Sequence, residues 1–389
     1  MADKDELIES TADDKKKPDD GDEKQTTSKE KPSKSEKADQ APEQSSKFIP
    51  NIYNRFVQSF ENALSQIIDE PTPKAKLNTL DLEGVANFIK SKQLRNIVFM
   101  CGAGISTSAG VPDFRSPGSG LYDNLQKYKL PDPQAIFEMN FFQRNPEPFY
   151  SLCRELFLDT VKPTPCHYFM RLMTEKGFVR RIFTQNIDSL EYIAGINQER
   201  VVAAHGSYQE SRCLKCKKTY TREWLEDFLR QKEVLVPKCS CGGLIKPNIV
   251  FFGENLPARF FTSAINDFPK CELLIIIGTS LVVQPFASMI HEVSDEVPRL
   301  LINLESVGKV SKRERAHGVQ GLSYDEADNV RDVFWKGTAD EGVWELAELL
   351  GFKDEFHQLI ETSHKELDKK LKASKKSDTS DETKEKSKT

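Results

Sequence analysis

Short runs of β-branched and aromatic residues alternate with longer helical stretches from about residue 77 onwards. Near-continuous apolar runs, joined by connections long enough for helices, are typical of a parallel sheet covered on both faces. We therefore expect a doubly wound, Rossmann-like α/β core. The expected strands lie at 96–100, 181–184, 249–252, 273–277, 300–304 and 332–335. The connections between the first and third strands are too long for simple crossovers, so they predict a smaller second domain.

The ends of the chain follow other patterns. Residues 1–47 and 365–389 are dominated by charged and small polar residues, so both predict disordered tails. Between the first tail and the core, apolar residues recur every four positions, which predicts an amphipathic helix within residues 48–70. These residues are Ile52, Phe56, Phe60, Leu64 and Ile68. The helix could dock on its own domain, or it could be an export signal read by a nuclear export receptor.

Charge and composition narrow the class of protein. The 389 residues carry a net charge of −5, from 55 basic and 60 acidic side chains, so no global positive field indicates direct nucleic-acid binding. The apolar run 273–277 is far shorter than the roughly 20 residues of a membrane span. These features predict a soluble intracellular protein without a membrane partner. Eight cysteines are present, but four crowd into residues 213–241, which favours a metal site in a reducing compartment.

Three expected strands end in turns that suit a nucleotide. The strand at 96–100 is followed by Gly102 and Gly104, which would allow a tight turn before a helix and a close approach to a pyrophosphate. Thr107 stands where the usual fingerprint has a third glycine, so this match is weak alone. The strand at 273–277 runs into the small-residue turn 278–280, and the strand at 300–304 runs into Glu305, which suits ribose hydroxyls. Three such turns at one sheet edge predict a cofactor site.

Other segments carry candidate chemistry. Pro112 and the acid, aromatic and cation at 113–115 indicate a ligand-facing loop. The run 185–188 is rich in amides that could bind a carboxamide, although an Asn-x-Asp at a strand end is more often a helix cap. His205 follows an apolar run, so it could be a core histidine or a general base.

Two closely spaced thiol pairs predict a structural zinc site. Cys213 and Cys216 form the first pair, and Cys239 and Cys241 form the second. Four thiolates suit tetrahedral zinc with no open position. Iron–sulfur ligation and redox-active thiols are the alternatives.

In this order, these segments and the run 246–254 resemble the catalytic core of the sirtuin family over residues 77–352. Within that family, these motifs are most similar to those of the class I cytosolic type, the group of tubulin and histone deacetylases. The resemblance implies a Rossmann-like core with a small domain from inserts at about 115–175 and a zinc module at about 207–246. Two departures stand out. The second thiol pair is C-x-C instead of C-x-x-C, and Ala339 stands where many relatives have a cysteine that contacts adenine.

The resemblance also assigns roles to individual residues. His205 and Asn186 would be catalytic, and the acyl-lysine peptide would contact Phe252, Gly253, Glu254 and Val283. NAD would bind to Ala103, Gly104, Ile105, Ser106, Thr107, Asp113, Phe114, Arg115, Gln185, Asn186, Ile187, Asp188, Gly278, Thr279, Ser280, Asn303, Leu304, Glu305 and Ala339.

The chemistry that the resemblance implies is NAD-dependent deacylation of protein lysines. The acyl oxygen would attack the nicotinamide ribose, with His205 as the general base. The products would be nicotinamide, free lysine and O-acyl-ADP-ribose. Histone tails and tubulin are the implied partners, and the implied location is the cytoplasm with nuclear access. An ADP-ribosyltransferase and a catalytically silent NAD-responsive scaffold are the alternatives, although His205 and Asn186 are both retained.

Overall fold

A computed structural model describes residues 75–113, 118, 120–157, 161–231, 236–310 and 312–385 of the chain. These residues all belong to one unit of the chain, Thr72–Thr389. The first tail, the expected helix within residues 48–70, Phe114 and Arg115 lie outside the described residues. None of the helices in the described part of the chain combines the length and apolarity that a bilayer-spanning segment needs.

The described residues form nine strands and ten α-helices. The strands are β1 (Ile97–Cys101), β2 (Val179–Thr184), β3 (Val201–Ala203), β4 (Gly206–Cys213), β5 (Thr219–Thr221), β6 (Ile245–Ile249), β7 (Leu273–Ile277), β8 (Arg299–Asn303) and β9 (Asp332–Lys336). The helices are α1 (Leu82–Lys92), α2 (Met139–Arg144), α3 (Glu147–Phe157), α4 (Pro165–Glu175), α5 (Leu190–Ile193), α6 (Arg222–Arg230), α7 (Ala258–Asp267), α8 (Lys312–Ala316), α9 (Ala339–Leu350) and α10 (Lys353–Glu385). Short 3₁₀ helices lie at Ala103–Ile105, Thr107–Ala109, Tyr122–Tyr128, Pro133–Phe137, Phe268–Lys270 and Ala287–His291.

Six parallel strands form the main sheet in the order β3-β2-β1-β7-β8-β9. The chain builds outward from β1 to β3 on one side and then returns to place β7 on the other side of β1. The strand order therefore reverses between β1 and β7. Doubly wound sheets bind ligands at this switch point, outside the carboxyl ends of the strands. The expected doubly wound parallel core is confirmed.

Alternate residues of the central strands pack into different layers. On β1, Phe99 packs towards the layer that contains α1, α4 and α9, whereas Val98 and Met100 pack towards the layer of α7. Each strand is buried on both faces, which explains its unbroken apolar run. Capping fixes the helix ends, since the side chain of Asp81 accepts from the N–H of Gly84 at 2.7 Å at the start of α1.

A second hydrophobic core lies within the two long connections of the sheet. It combines α2, α3, α6 and the sides of β4 and β6, and it is rich in aromatic rings. Phe142, Phe149 and Phe251 form edge-to-face pairs with centroid distances of 5.2–5.4 Å. Strands β4, β5 and β6 make a separate antiparallel sheet in the order β5-β4-β6. The smaller domain therefore has its own core.

The parallel strand expected at 249–252 is wrong. The chain there forms β6, which pairs antiparallel with β4 and ends at Ile249. Phe251 packs in the aromatic core of the smaller domain, whereas Phe252 is 45% exposed. The sixth parallel strand is β3, which is only three residues long. A short apolar run cannot by itself distinguish these two environments.

Two expected boundaries also differ from the structure. The first insert ends before residue 175, because α4 packs against the main sheet. The disordered tail expected from residue 365 is corrected as well, because α10 continues to Glu385. Lysine and glutamate are good helix formers, and Lys162 ties α10 to the domain through Asp368 at 2.7 Å.

Candidate active site and metal centre

The turns that follow β1 and β7 are packed backbone against backbone at the switch point. The N–H of Gly104 donates to the carbonyl of Gly278 at 2.8 Å. A Cβ on Gly104 would lie 2.7 Å from the Cα of Gly278, and a Cβ on Gly102 would lie 2.7 Å from the carbonyl oxygen of Gly278. These glycines are required because the two turns touch. The expected helix start is instead a pair of 3₁₀ turns, Ala103–Ile105 and Thr107–Ala109.

Hydrogen bonds link the β1 turn to the amide-rich loop that follows β2. The side-chain amide of Asn186 donates to the hydroxyl of Ser106 at 3.1 Å, and that hydroxyl donates to Asp188 at 2.7 Å. The other oxygen of Asp188 accepts from the N–H of Leu190 at 2.9 Å, so Asp188 is also held at the start of α5. Ser106 and Asn186 are buried. The structure thus brings together the residues expected at the carboxamide end of a dinucleotide.

His205 follows β3 and belongs to the same group. Its Nδ1 lies 2.9 Å from the carbonyl oxygen of Gln185, which can only accept, so Nδ1 carries the proton. Nε2 then keeps a free lone pair. Burial lowers the pKa of His205, and the hydrogen bond to Gln185 partly opposes this shift. The ring is therefore held in the neutral tautomer that a general base needs.

A cavity of about 330 Å³ opens beside the β1 turn and the loop 186–188. It is bordered by Ala103, Ser106 and the loop 186–188, and it also includes Val111. Leu367 and Leu371 of α10 line it as well, although the sequence predicts disorder there. Its volume falls in the usual range for small-molecule sites, about 300–1,000 Å³. The close-packed turns, amide donors and partly apolar walls fit the nicotinamide half of a dinucleotide.

The residues expected at the adenosine half lie across the switch point. The hydroxyl of Thr279 donates to the side-chain oxygen of Gln185 at 2.7 Å and so connects the two halves. Asn303 at the end of β8 donates to the carbonyl of Glu305 at 2.9 Å. Leu304 is 61% exposed, and Ala339 is buried at the first position of α9. These turns lie at the same sheet edge, where Leu304 and Glu305 are more exposed than the loop of Asn186, whereas Thr279 and Ala339 are buried.

The expected peptide-binding segment follows β6. Gly253 adopts a φ of +85°, which favours glycine, and Phe252 is exposed beside it. The carboxylate of Glu254 accepts from Lys246 at 2.9 Å and from the N–H of Phe251 at 2.8 Å. Glu254 therefore shapes the turn. Val283 lies half-buried in the loop after β7.

The four clustered cysteines form a metal centre at the end of β4. Their Sγ atoms all lie within 4.8 Å of one another, with 3.5 Å between Cys213 and Cys241 and 3.5 Å between Cys216 and Cys239. Tetrahedral Zn–S bonds of about 2.3 Å place sulfurs about 3.8 Å apart, so the site fits one structural zinc ion.

Glycines accommodate the shortened C-x-C pair. Gly242 takes a φ of +79°, and its N–H donates to the carbonyl of Cys239 at 2.8 Å. A Cβ on Gly243 would lie 2.7 Å from Cys213 Sγ, so only glycine fits beside the metal ligands.

Two buried residues behind the cavity were not predicted from the sequence. His167 on α4 and Glu191 on α5 lie close to Asp188. The spacing of Glu191, three residues after Asp188, was the only local signal. His167 has none, because α4 brings it to the site from elsewhere in the chain.

Comparisons with known proteins agree with this geometry. The model of the Sir2 family matches residues 102–285. The chain is 50% identical over 301 residues to the NAD-dependent protein deacetylase sirtuin-2 of Danio rerio, covering 76% of this chain and 78% of that protein. It is 43% identical to the NAD-dependent protein deacetylase hst2 of Schizosaccharomyces pombe, covering 75% and 82%. It is 46% identical to the NAD-dependent deacetylase sir2A of Dictyostelium discoideum, covering 72% of this chain and 53% of that protein.

The Rossmann-like sheet, the inserted zinc module and these similarities place the chain in the Sir2, or sirtuin, family. The resemblance seen in the sequence is therefore confirmed.

Proposed function

We propose that this chain is an NAD-dependent protein-lysine deacetylase in which His205 is the general base. The observation that carries the proposal is the fixed tautomer of His205, whose Nδ1–H donates to Gln185 while Nε2 is left as a proton acceptor. Similarity to proteins named NAD-dependent deacetylases supports the same activity.

NAD supplies an activated ribose whose nicotinamide is a good leaving group. The chain has to hold that group, exclude water and accept one proton. Asn186 and Asp188 would hold the carboxamide, because Ser106 fixes both side chains. His205 Nε2 would then accept a proton from a ribose hydroxyl. Its lowered pKa keeps this nitrogen unprotonated at neutral pH.

The remaining site residues have binding roles in this proposal. Thr279, Asn303 and Glu305 would bind the adenosine half, while the exposed turn of Phe252 and Gly253 would pair with an extended peptide. We propose acylated lysines of histone tails and tubulin as the substrates, by family resemblance. The proposed location is the cytoplasm with nuclear access, and residues 52–68 would be read by an export receptor.

The proposal is tested by incubating the chain with NAD and an acetyl-lysine peptide, followed by mass spectrometry. The expected products are free lysine, nicotinamide and O-acetyl-ADP-ribose in equal amounts. Transfer of ADP-ribose to protein without loss of acetyl would instead support the transferase. Binding of the peptide without any turnover would support a silent scaffold, and either result would overturn the proposal.

A further inference from the structure

A buried cluster of titratable groups lies directly behind the candidate nicotinamide site. One ring nitrogen of His167 and one carboxylate oxygen each of Asp188 and Glu191 lie within 4.8 Å of one another. His167 and Glu191 are almost completely buried, at 0% and 1% exposure. Among the described residues, Nε2 of His167 and Oε1 of Glu191 have no hydrogen-bond partner. Buried polar atoms without a hydrogen-bond partner are rare in folded proteins, so the presence of this cluster requires an explanation.

His167 is neutral. Its Nδ1 lies 3.3 Å from the backbone N of Thr164 and 2.8 Å from the hydroxyl oxygen of the same residue, so Thr164 holds the ring in place. Burial lowers the pKa of His167 to about 3, which excludes the doubly protonated form at neutral pH. The histidine therefore cannot neutralise two carboxylates by charge.

The two carboxyl groups of the cluster have unequal environments. Asp188 accepts hydrogen bonds from Ser106 and from the N–H of Leu190, and Arg222 adds a favourable charge. Glu191 has a hydrogen bond from the hydroxyl of Thr184. The anionic form is thus better stabilised at Asp188 than at Glu191.

The groups that face Glu191 offer no compensating charge. They are Asp188, His167, Cys101 on β1, Cys166 on α4 and Tyr192 on α5. None of these is a cation at neutral pH. Burial, followed by the charge of Asp188, raises the pKa of Glu191 to about 8. Two neighbouring buried carboxyl groups do not both ionise when their environments differ in this way.

Glu191 is also connected to the loop that would hold nicotinamide. The hydroxyl of Thr184, which bonds to Glu191, accepts the backbone N–H of Asn186 at 3.1 Å. The side chain of Asn186 is held on its other side by Ser106. Any movement of Glu191 would therefore disturb both Asn186 and Asp188.

We propose that Glu191 is a positioning residue that acts as the neutral acid, lying beside His167 and holding Thr184 and, through it, the loop of Asn186 and Asp188. Asp188 is then the single negative charge that faces the carboxamide of nicotinamide. This role rests on the proposed function, which supplies NAD as the ligand of the loop. Ionisation of Glu191 would repel Asp188 and displace the loop.

The kinetic test compares Glu191→Gln with Glu191→Ala. Glutamine reproduces the shape and neutrality of the protonated acid, so its KM for NAD at pH 7 should stay within about threefold of wild type. Alanine leaves the hydroxyl of Thr184 without its carboxyl partner and opens a gap beside His167, so it should raise KM about tenfold. The wild-type KM should rise above about pH 8, whereas Glu191→Gln should lose this rise. Glu292→Gln is a matched control, since Glu292 also has a pKa raised by burial but lies outside the cluster.

Two kinetic outcomes would overturn the proposal. If Glu191→Gln is as impaired as Glu191→Ala at pH 7, the ionised acid is required. If the pH profiles of KM coincide for wild type and Glu191→Gln, the ionisation of Glu191 has no effect on the pocket. If Glu191 had only a structural role, its substitution would not change the pH profile of KM. If the alanine variant does not fold, the comparison of wild type with Glu191→Gln is sufficient for the test.

Calorimetry without NAD separates this proposal from the proposed function. The folded chain keeps a proton on Glu191 up to about pH 8, whereas the unfolded chain loses it near the usual value of 4.5. The free energy of unfolding should therefore fall as pH rises between these values, and Glu191→Gln should lack this contribution. Equal pH dependence in the two proteins would overturn the proposal even if turnover is normal. An inactive wild type would count only against the proposed function.

Discussion

The strands on the two sides of the switch point end at the same edge of the parallel sheet, but the residues that follow them differ in burial. Strands β1, β2 and β3 lead into Ser106, Asn186 and His205, which are buried or half-buried and are held by hydrogen bonds. Strand β8 leads into Leu304 and Glu305, which are exposed. Burial thus lowers the pKa of His205 in the first half, whereas the turn after β8 in the second half is exposed to water.

This difference separates chemistry from binding. A general base and a leaving-group site benefit from a dry environment, in which polar groups interact strongly. Ribose hydroxyls can be bound at a wet surface with modest energy. Substitutions of His205 and Ser106 in the first half should therefore lower kcat, whereas substitutions at the exposed turn after β8 should change KM.

The largest effect is expected for His205→Ala. Removal of the base should lower kcat about 10³-fold, with a much smaller change in the KM for NAD. The measurement is O-acetyl-ADP-ribose formation at saturating NAD. His317→Ala, which removes an exposed histidine outside the site, is the control. Full activity of His205→Ala would contradict its role as the base.

The same residue predicts the acid side of the pH profile. Because the pKa of His205 lies below 6.5, the base stays neutral as pH falls through that value. The loss of kcat/KM should begin at a lower pH than for an exposed histidine. An acid limb centred above 6.5 would show that another group titrates.

An intermediate effect is expected for Ser106→Ala. The substitution removes the hydroxyl that joins Asn186 to Asp188, so the buried amide of Asn186 and the half-buried carboxylate of Asp188 each lose a partner. The turnover number should fall about tenfold to a hundredfold. Ser108→Ala is the comparison, because Ser108 is exposed and bonds to Asp340. If both serines have equal effects, the internal hydrogen bonds do not matter for chemistry.

The smallest effect is expected for Glu305→Ala in the open half. The KM for NAD should rise about fivefold while kcat stays unchanged, because an exposed hydrogen bond contributes little. Initial rates over a range of NAD concentrations measure both constants. A fall in kcat as large as that of Ser106→Ala would remove the distinction between the halves.

Much of the main sheet could be predicted from the sequence because its strands are buried on both faces. The run of β7, Leu273–Ile277, coincides with its expected bounds. The apolar run at 249–252 led to a wrong strand prediction, because Phe251 is as apolar as the residues of the main sheet but packs in the smaller domain. Strand β3 was too short to separate from a loop. Apolar character shows that a residue is buried, not which core buries it.

The candidate site was predictable where its residues follow strands, because carboxyl ends of parallel strands share one edge. The contact of His167 with Asp188 and Glu191 was not predictable. It depends on how α4 packs against the sheet, which no local pattern encodes. The contribution of Leu367 and Leu371 to the cavity was hidden for the same reason.

The contact between Gly104 and Gly278 has a consequence for protein engineering. Because a Cβ on Gly278 would lie 2.7 Å from the N atom of Ile105, neither turn can be transplanted alone from a protein with a bulkier partner. A chimaera that exchanges residues 102–105 must exchange residues 278–279 with them. For recombination between homologues, these two segments behave as one inseparable block, although more than 170 positions of chain lie between them.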